Sequence, residues 1–272
     1  MGRPGTAGWC LVAAAACVLA APVAQAQIRS DVGFTSNTLP RNDDGFTGLV
    51  DIGFDANFFG TTYSQLFVNN NGNVTFDAAL GTYTPFNLLS TSQVIIAPFF
   101  ADVDTRNGTS AITQYGQSMI GGRNAFGVNW NGVGYYNSHA DKLNFFQLVM
   151  IDRSDVGAGD FDFEFNYGSM QWETGDASGG VGGLGGSCAR VGYSNGDDQA
   201  VELDGSAECG AFLDGGSNSL QDAERYLFQV RNGSVLPPPT TVPEPATLAL
   251  LGSGLLGLGA FGLRRRRNTT AS

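Results

Sequence analysis

The sequence predicts an all-β fold: a mostly antiparallel β-sandwich with long loops, followed by a single C-terminal apolar helix. Three observations carry the β reading. Residues 160–167 alternate strictly, with Phe161, Phe163, Phe165 and Tyr167 interleaved with Asp162, Glu164 and Asn166. That period of two puts the aromatics on one face of a strand and the polar groups on the other, whereas a helix would scatter both sets. Asn69-Asn70-Asn71-Gly72 separates Phe67-Val68 from Val74-Thr75-Phe76, and Asn-Gly supplies the positive φ angles of a tight hairpin turn. Between residues 34 and 231 no long amphipathic helical pattern appears.

The remaining elements follow in order. Val94 to Phe100 is a continuous apolar run, read as a buried strand in which Pro98 marks a break or an edge. Ala125 to Trp130 alternates weakly. Between Asn144 and Ile151 only Gln147 interrupts an apolar stretch too short for a typical buried helix, which predicts a central strand. Its polar connection to 160–167 predicts a hairpin of 145–151 with 160–167, aromatics inward and carboxylates in solvent. A short helical turn is expected at 220–225 and a final strand at Tyr226 to Val230. Pro237-Pro238-Pro239 starts a stiff linker. Long loops are expected near 77–92 and 173–222.

Both ends of the chain carry export features. Arg3, an apolar stretch from Trp9 to Ala21 and the small-x-small Ala24-Gln25-Ala26 predict a secretory signal peptide over 1–26. At the other end Pro243-Glu244-Pro245 precedes an apolar run from Ala246 to Leu263, closed by Arg264, Arg265, Arg266 and Arg267. Eighteen helical residues span roughly 27 Å, near the ~30 Å hydrocarbon thickness. Arginines bias their end toward the cytoplasm, which places the rest of the chain across the membrane. Five glycines between 252 and 262 weaken this helix. A permanent single-span anchor is one reading. Pro-Glu-Pro, glycine-rich apolar helix and arginine cluster together resemble the PEP-CTERM sorting signal of Gram-negative bacteria. That resemblance implies a partner, a membrane processing enzyme of the exosortase type, and delivery to the cell surface or extracellular matrix. The expected organisation is signal peptide 1–26, β domain 27–236, Pro-rich linker 237–245, helix and arginine cluster 246–267, and tail 268–272.

Charge and cysteine usage suit that compartment. Between Gln27 and Val242, nine basic residues face 24 acidic ones, a net charge of −15. Such a surface repels nucleic acid and anionic lipid and suits solubility, cations or basic partners. Cys10 and Cys17 fall in the signal peptide, which leaves Cys188 and Cys209. An even pair in an oxidising location predicts a disulfide. Closing about 20 residues, it contributes roughly 3 kcal/mol in the chain-entropy model.

Four segments then carry a family resemblance: Phe67 to Gly72, Ala97 to Arg106, Gly159 to Tyr167 and Gln171 to Asp176. In order and content they resemble the nidogen-like extracellular domain over about Leu39 to Asp214. The resemblance implies a non-enzymatic role in matrix or adhesion. The EGF-like and von Willebrand type D modules that accompany this domain elsewhere are not found in the sequence, so no specific partner transfers.

Little points to catalysis. His139 is the sole histidine, which excludes a histidine-rich zinc site by count. Residues 179–186 are glycine-rich yet lack the Lys-Ser/Thr of a phosphate loop. Carboxylates stay open. Asp102 and Asp104 share a face if their segment is extended, and they are the candidate pair for calcium, the one cofactor the sequence raises. Asp152, Asp155, Glu173 or Asp176 could add loop oxygens. An ion pair of Asp104 with Arg106 is the alternative. Trp130 and Tyr136 are candidates for stacking on glycan rings, against the commoner use of such residues in cores. The functional expectation is an exported adhesion or interaction protein. The alternative is a carbohydrate-binding or glycan-degrading protein, or a permanently anchored periplasmic domain.

Overall fold

The computed structural model describes residues 28–222 and 225–236; the predicted signal peptide, the Pro-rich linker and the apolar tail lie outside the described residues. The first strands in chain order are β1 (Asn37–Thr38), β2 (Val50–Phe58), β3 (Thr61–Asn69), β4 (Asn73–Thr75) and β5 (Val94–Phe100). There follow β6 (Val103–Asp104), β7 (Gln114–Ile120), β8 (Arg123–Tyr135), β9 (His139–Asp152) and β10 (Phe161–Tyr167). The last are β11 (Arg190–Asn195), β12 (Ala200–Glu202), β13 (Tyr226–Arg231) and β14 (Ser234–Val235). They form two antiparallel sheets, one in the order β1-β7-β8-β9-β10-β13-β14 with β6 on β8, the other β12-β11-β5-β4-β3-β2. Among the described residues no helix is long and apolar enough to cross a membrane.

The sheets pack face to face through aromatic rings. Phe99 of β5 meets Phe146 of β9, with centroids 5.3 Å apart. Phe58 of β2 meets Phe161 and Phe163 of β10, and Tyr193 of β11 meets Phe163 and Phe228. The Tyr167 hydroxyl donates to the Pro98 carbonyl across the core. The alternation of β10 therefore buries its aromatics as expected.

Its polar face is the first correction. Asp162, Glu164 and Asn166 are buried, not solvated. Arg29 donates two hydrogen bonds to Glu164 at 2.7 and 2.9 Å, and Arg225 lies 3.3 Å away. Arg153 and Arg231 hold Asp162 at 2.7 and 2.6 Å. Asn129, Gln147 and Asn166 link the three central strands side chain to side chain. The N-terminal segment covers this face: Arg29 N–H donates to Gln147, and Phe34 packs on Ala125, Val149 and Ile151. A Cβ on Gly127 would lie 2.4 Å from the Phe34 ring, so glycine is what lets the segment sit flat on β8. Alternation alone cannot distinguish solvent from a covering segment rich in arginine.

β5 is apolar throughout because both of its faces are covered. Ile96 and Phe99 enter the main core, while Ile95, Ala97 and Phe100 pack under the 77–92 loop with Leu80 and Leu88. Pro98 lies where two residues of β5, Pro98 and Phe99, oppose Val191 alone in β11, a bulge that tolerates a missing N–H. Two loop expectations change. The 173–222 segment contains β11 and β12, and Tyr226–Arg231 is followed by β14. Glycine hid β11: the backbone of Val201 approaches Gly192 so closely that a Cβ there would lie 2.0 Å from the Val201 carbonyl oxygen.

Candidate functional site

One end of the sandwich is organised by the Asn-Asn-Asn-Gly turn. Gly72 adopts φ +75°, and a Cβ there would collide with the Phe99 carbonyl. The three asparagines are buried and act as connectors. Asn69 accepts from Leu80 N–H and donates to Asn73 and Thr75. Asn70 donates to the Val103 and Asp43 carbonyls, and its own carbonyl accepts from the Trp130 indole at 2.9 Å. Asn71 accepts from Val103 N–H and donates to Asp44 Oδ1 and the Thr82 carbonyl. What reads in sequence as a hairpin turn is a buried node that joins the 42–45, 80–82 and 101–105 segments. Each amide bonds satisfied backbone groups that would otherwise be costly to bury.

This node brings carboxylates together. Asp102 and Asp104 follow β5 as expected, but they do not form one site. Asp104 accepts hydrogen bonds from the Arg106 guanidinium, from Arg106 N–H and from Ser138 N–H. Burial alone would raise its carboxyl, but the Arg106 and Ser138 donors outweigh that and hold it below the usual carboxylate range. The ion-pair alternative is the arrangement this residue adopts.

Asp102 points elsewhere. It is 1% exposed, and among the described residues neither carboxylate oxygen has a hydrogen-bond partner. Its neighbours are Asp43 and Asp44, which the sequence reading did not single out. One carboxylate oxygen from each of the three lies within 4.8 Å of the others. Asp43 Oδ2 is 3.1 Å from Arg106, and its Oδ1 is buried without a partner. Burial first, then Asp43, Asp44, Asp104 and Asp176, pushes Asp102 up to about 7. Burial and the Asp104 and Asp44 charges push Asp43 up to about 6 against the pull of Arg106. Gly175 forms one wall: a Cβ there would lie 2.3 Å from Asp102 Oδ2.

The other candidates disperse. Glu173 accepts from Gly185 and Gly210 N–H, so it ties the glycine-rich loop to the loop that Cys209 closes. Asp176 pairs with His139 at 2.9 Å. Asp152 closes its own turn onto Ser154, and Asp155 binds Arg123 and Arg153. Cys188 and Cys209 form the expected disulfide, with Cα atoms 5.4 Å apart.

Trp130 is fully buried and stacked on Phe146 at 5.2 Å, which makes it a core residue and corrects its reading as a glycan platform. Tyr136 is half-buried, with the Arg106 guanidinium 5.5 Å over its ring. Pro243, Glu244, Pro245 and Arg264 to Arg267 lie outside the described residues.

Comparison with known proteins accounts for this architecture. The model of the nidogen-like domain matches residues 64–120 and 109–232, more than half of the chain. The chain belongs to the nidogen-like domain family. A second match, to the PEP-CTERM protein-sorting motif, covers residues 241–267. Alpha-tectorin of Mus musculus is 34% identical over 182 residues, which cover 58% of this chain and 8% of its own length. Nidogen of Drosophila melanogaster is 29% identical over 216 residues, 71% of this chain and 15% of its own length. This chain thus spans a small fraction of the length of these relatives. No solved structure matches it significantly. Together, domain and motif point to an exported, surface-associated protein.

Proposed function

We propose that this protein is a non-catalytic adhesion or interaction module, sorted through its tail by an exosortase-type membrane enzyme and held at the cell surface or in the extracellular matrix. There its nidogen-like domain would bind matrix polysaccharide or protein. The observation that carries the reading is the joining of a nidogen-like domain to a PEP-CTERM sorting motif in one chain. Asp104, Asp155, Asp162, Glu164 and Glu173 are engaged by arginines or backbone N–H groups, which supports a non-catalytic role for these five. His139 lies against Asp176 and stacks on Tyr135, and among the described residues no serine hydroxyl is bonded to it.

The test is a panel of matrix polysaccharides incubated with the purified protein. Retention without release of sugar ends is expected. Turnover of any glycan would replace this reading with that of an exported glycan-degrading enzyme.

A further inference from the structure

We propose that Asp43, Asp44 and Asp102 form a calcium site that braces the Asn-rich end of the sandwich. A cluster of acids would not by itself define a site. The decisive feature is Asp102, a carboxylate 1% exposed with two oxygens that bond to nothing, aimed at two further carboxylates. A buried charge without a partner is strongly destabilising unless something compensates it. Asp43 Oδ1 is orphaned in the same place. Arg106 does not meet the need, because it is committed to Asp104 and to the far oxygen of Asp43.

The donor set selects the ion. Every side-chain ligand is a carboxylate, which suits hard cations and disfavours zinc or copper. Asp102 offers two bare oxygens on a rigid mount, and calcium accepts bidentate carboxylates in irregular arrangements of six to eight oxygens. Magnesium demands near-ideal octahedra and gives up water reluctantly. Asp43 and Asp44 are partly exposed, so the ion has a route in and room for water ligands.

The mounting explains what binding would do. Asp44 is held by Asn71, and Asn71 also fixes Val103 beside Asp102. The Asp102 carbonyl accepts from Tyr136 N–H, and the Tyr136 carbonyl accepts from Asp176 N–H. An ion here would clamp the 42–45 and 101–105 segments, with the Tyr136 and Asp176 backbone bonded to them, into one rigid end. Asp102 stays in the site and Asp104 leaves it, which revises the pair that the sequence suggested. The competing arrangement is a proton held between Asp102 and Asp43.

Thermal melting of the purified protein in 10 mM calcium chloride and in chelator separates the two. With a dissociation constant of ~10⁻⁴–10⁻³ M, as in extracellular modules, calcium should raise the melting temperature by about 3–10 °C. Asp102→Asn should abolish that rise and, in chelator, melt above the parent, because it removes an unpaired buried charge. Asp44→Asn, which leaves the buried residue in place, should weaken the calcium midpoint by about tenfold. Identical melts of the parent protein in calcium and in chelator would overturn the site. So would a calcium shift that Asp102→Asn and Asp44→Asn both retain in full.

Discussion

Trp130 shows how a residue with two chemical uses is assigned by its surroundings. Its ring lies flat on Phe146, and its indole N–H is taken by the Asn70 carbonyl. Trp130→Ala would leave a large cavity and orphan that carbonyl, at about 3–5 kcal/mol. Urea unfolding should show the midpoint falling accordingly. A glycan-stacking residue would instead lose retention with its midpoint unchanged. Asp102 was legible as an oddity, a carboxylate directly after a buried run. Its partners were not, because Asp43 and Asp44 are some sixty positions earlier, in a loop without periodicity. Only the buried Asn turn brings them to it, and nothing in the spacing of 43, 44 and 102 announces that turn's reach.

At the level of elements, β5, β9, β10 and the hairpin around Gly72 could be read directly from runs and alternation. β11 could not, since glycine replaces a packing side chain in mid-strand. The outer face of β10 was misjudged for a related reason: period two reports which residues share a face, not what covers it. Here Arg29, Arg153, Arg225 and Arg231 arrive from four other places in the chain.

The disulfide was legible because compartment and count left one pairing. It closes the segment that contains β11 and β12, next to the glycine-rich loop anchored by Glu173. Replacing both cysteines by serine should cost roughly 3 kcal/mol, measured as a fall in the chemical-denaturation midpoint, with the slope of the transition reporting any loosening of the reduced chain. An unchanged midpoint would show that packing alone holds this loop. Thiol titration of the unfolded, unreduced protein should find no free thiol among Cys188 and Cys209.

The whole molecule joins a rigid sandwich to an address. Two sheets share an aromatic core, an N-terminal segment seals one outer face, and the 77–92 loop seals much of the other. A net charge of −15 over residues 27–242 suits solubility and repels nucleic acid. In the proposed function, the sorting motif at 241–267 decides where this body ends up.

That central claim is tested most directly by the intact mass of the native protein recovered from the outer surface or the medium. A mature chain that begins near Gln27 and ends near Pro245 is predicted. A chain that extends through Ser272 and is found only in the inner membrane would contradict it and make this a tethered periplasmic domain.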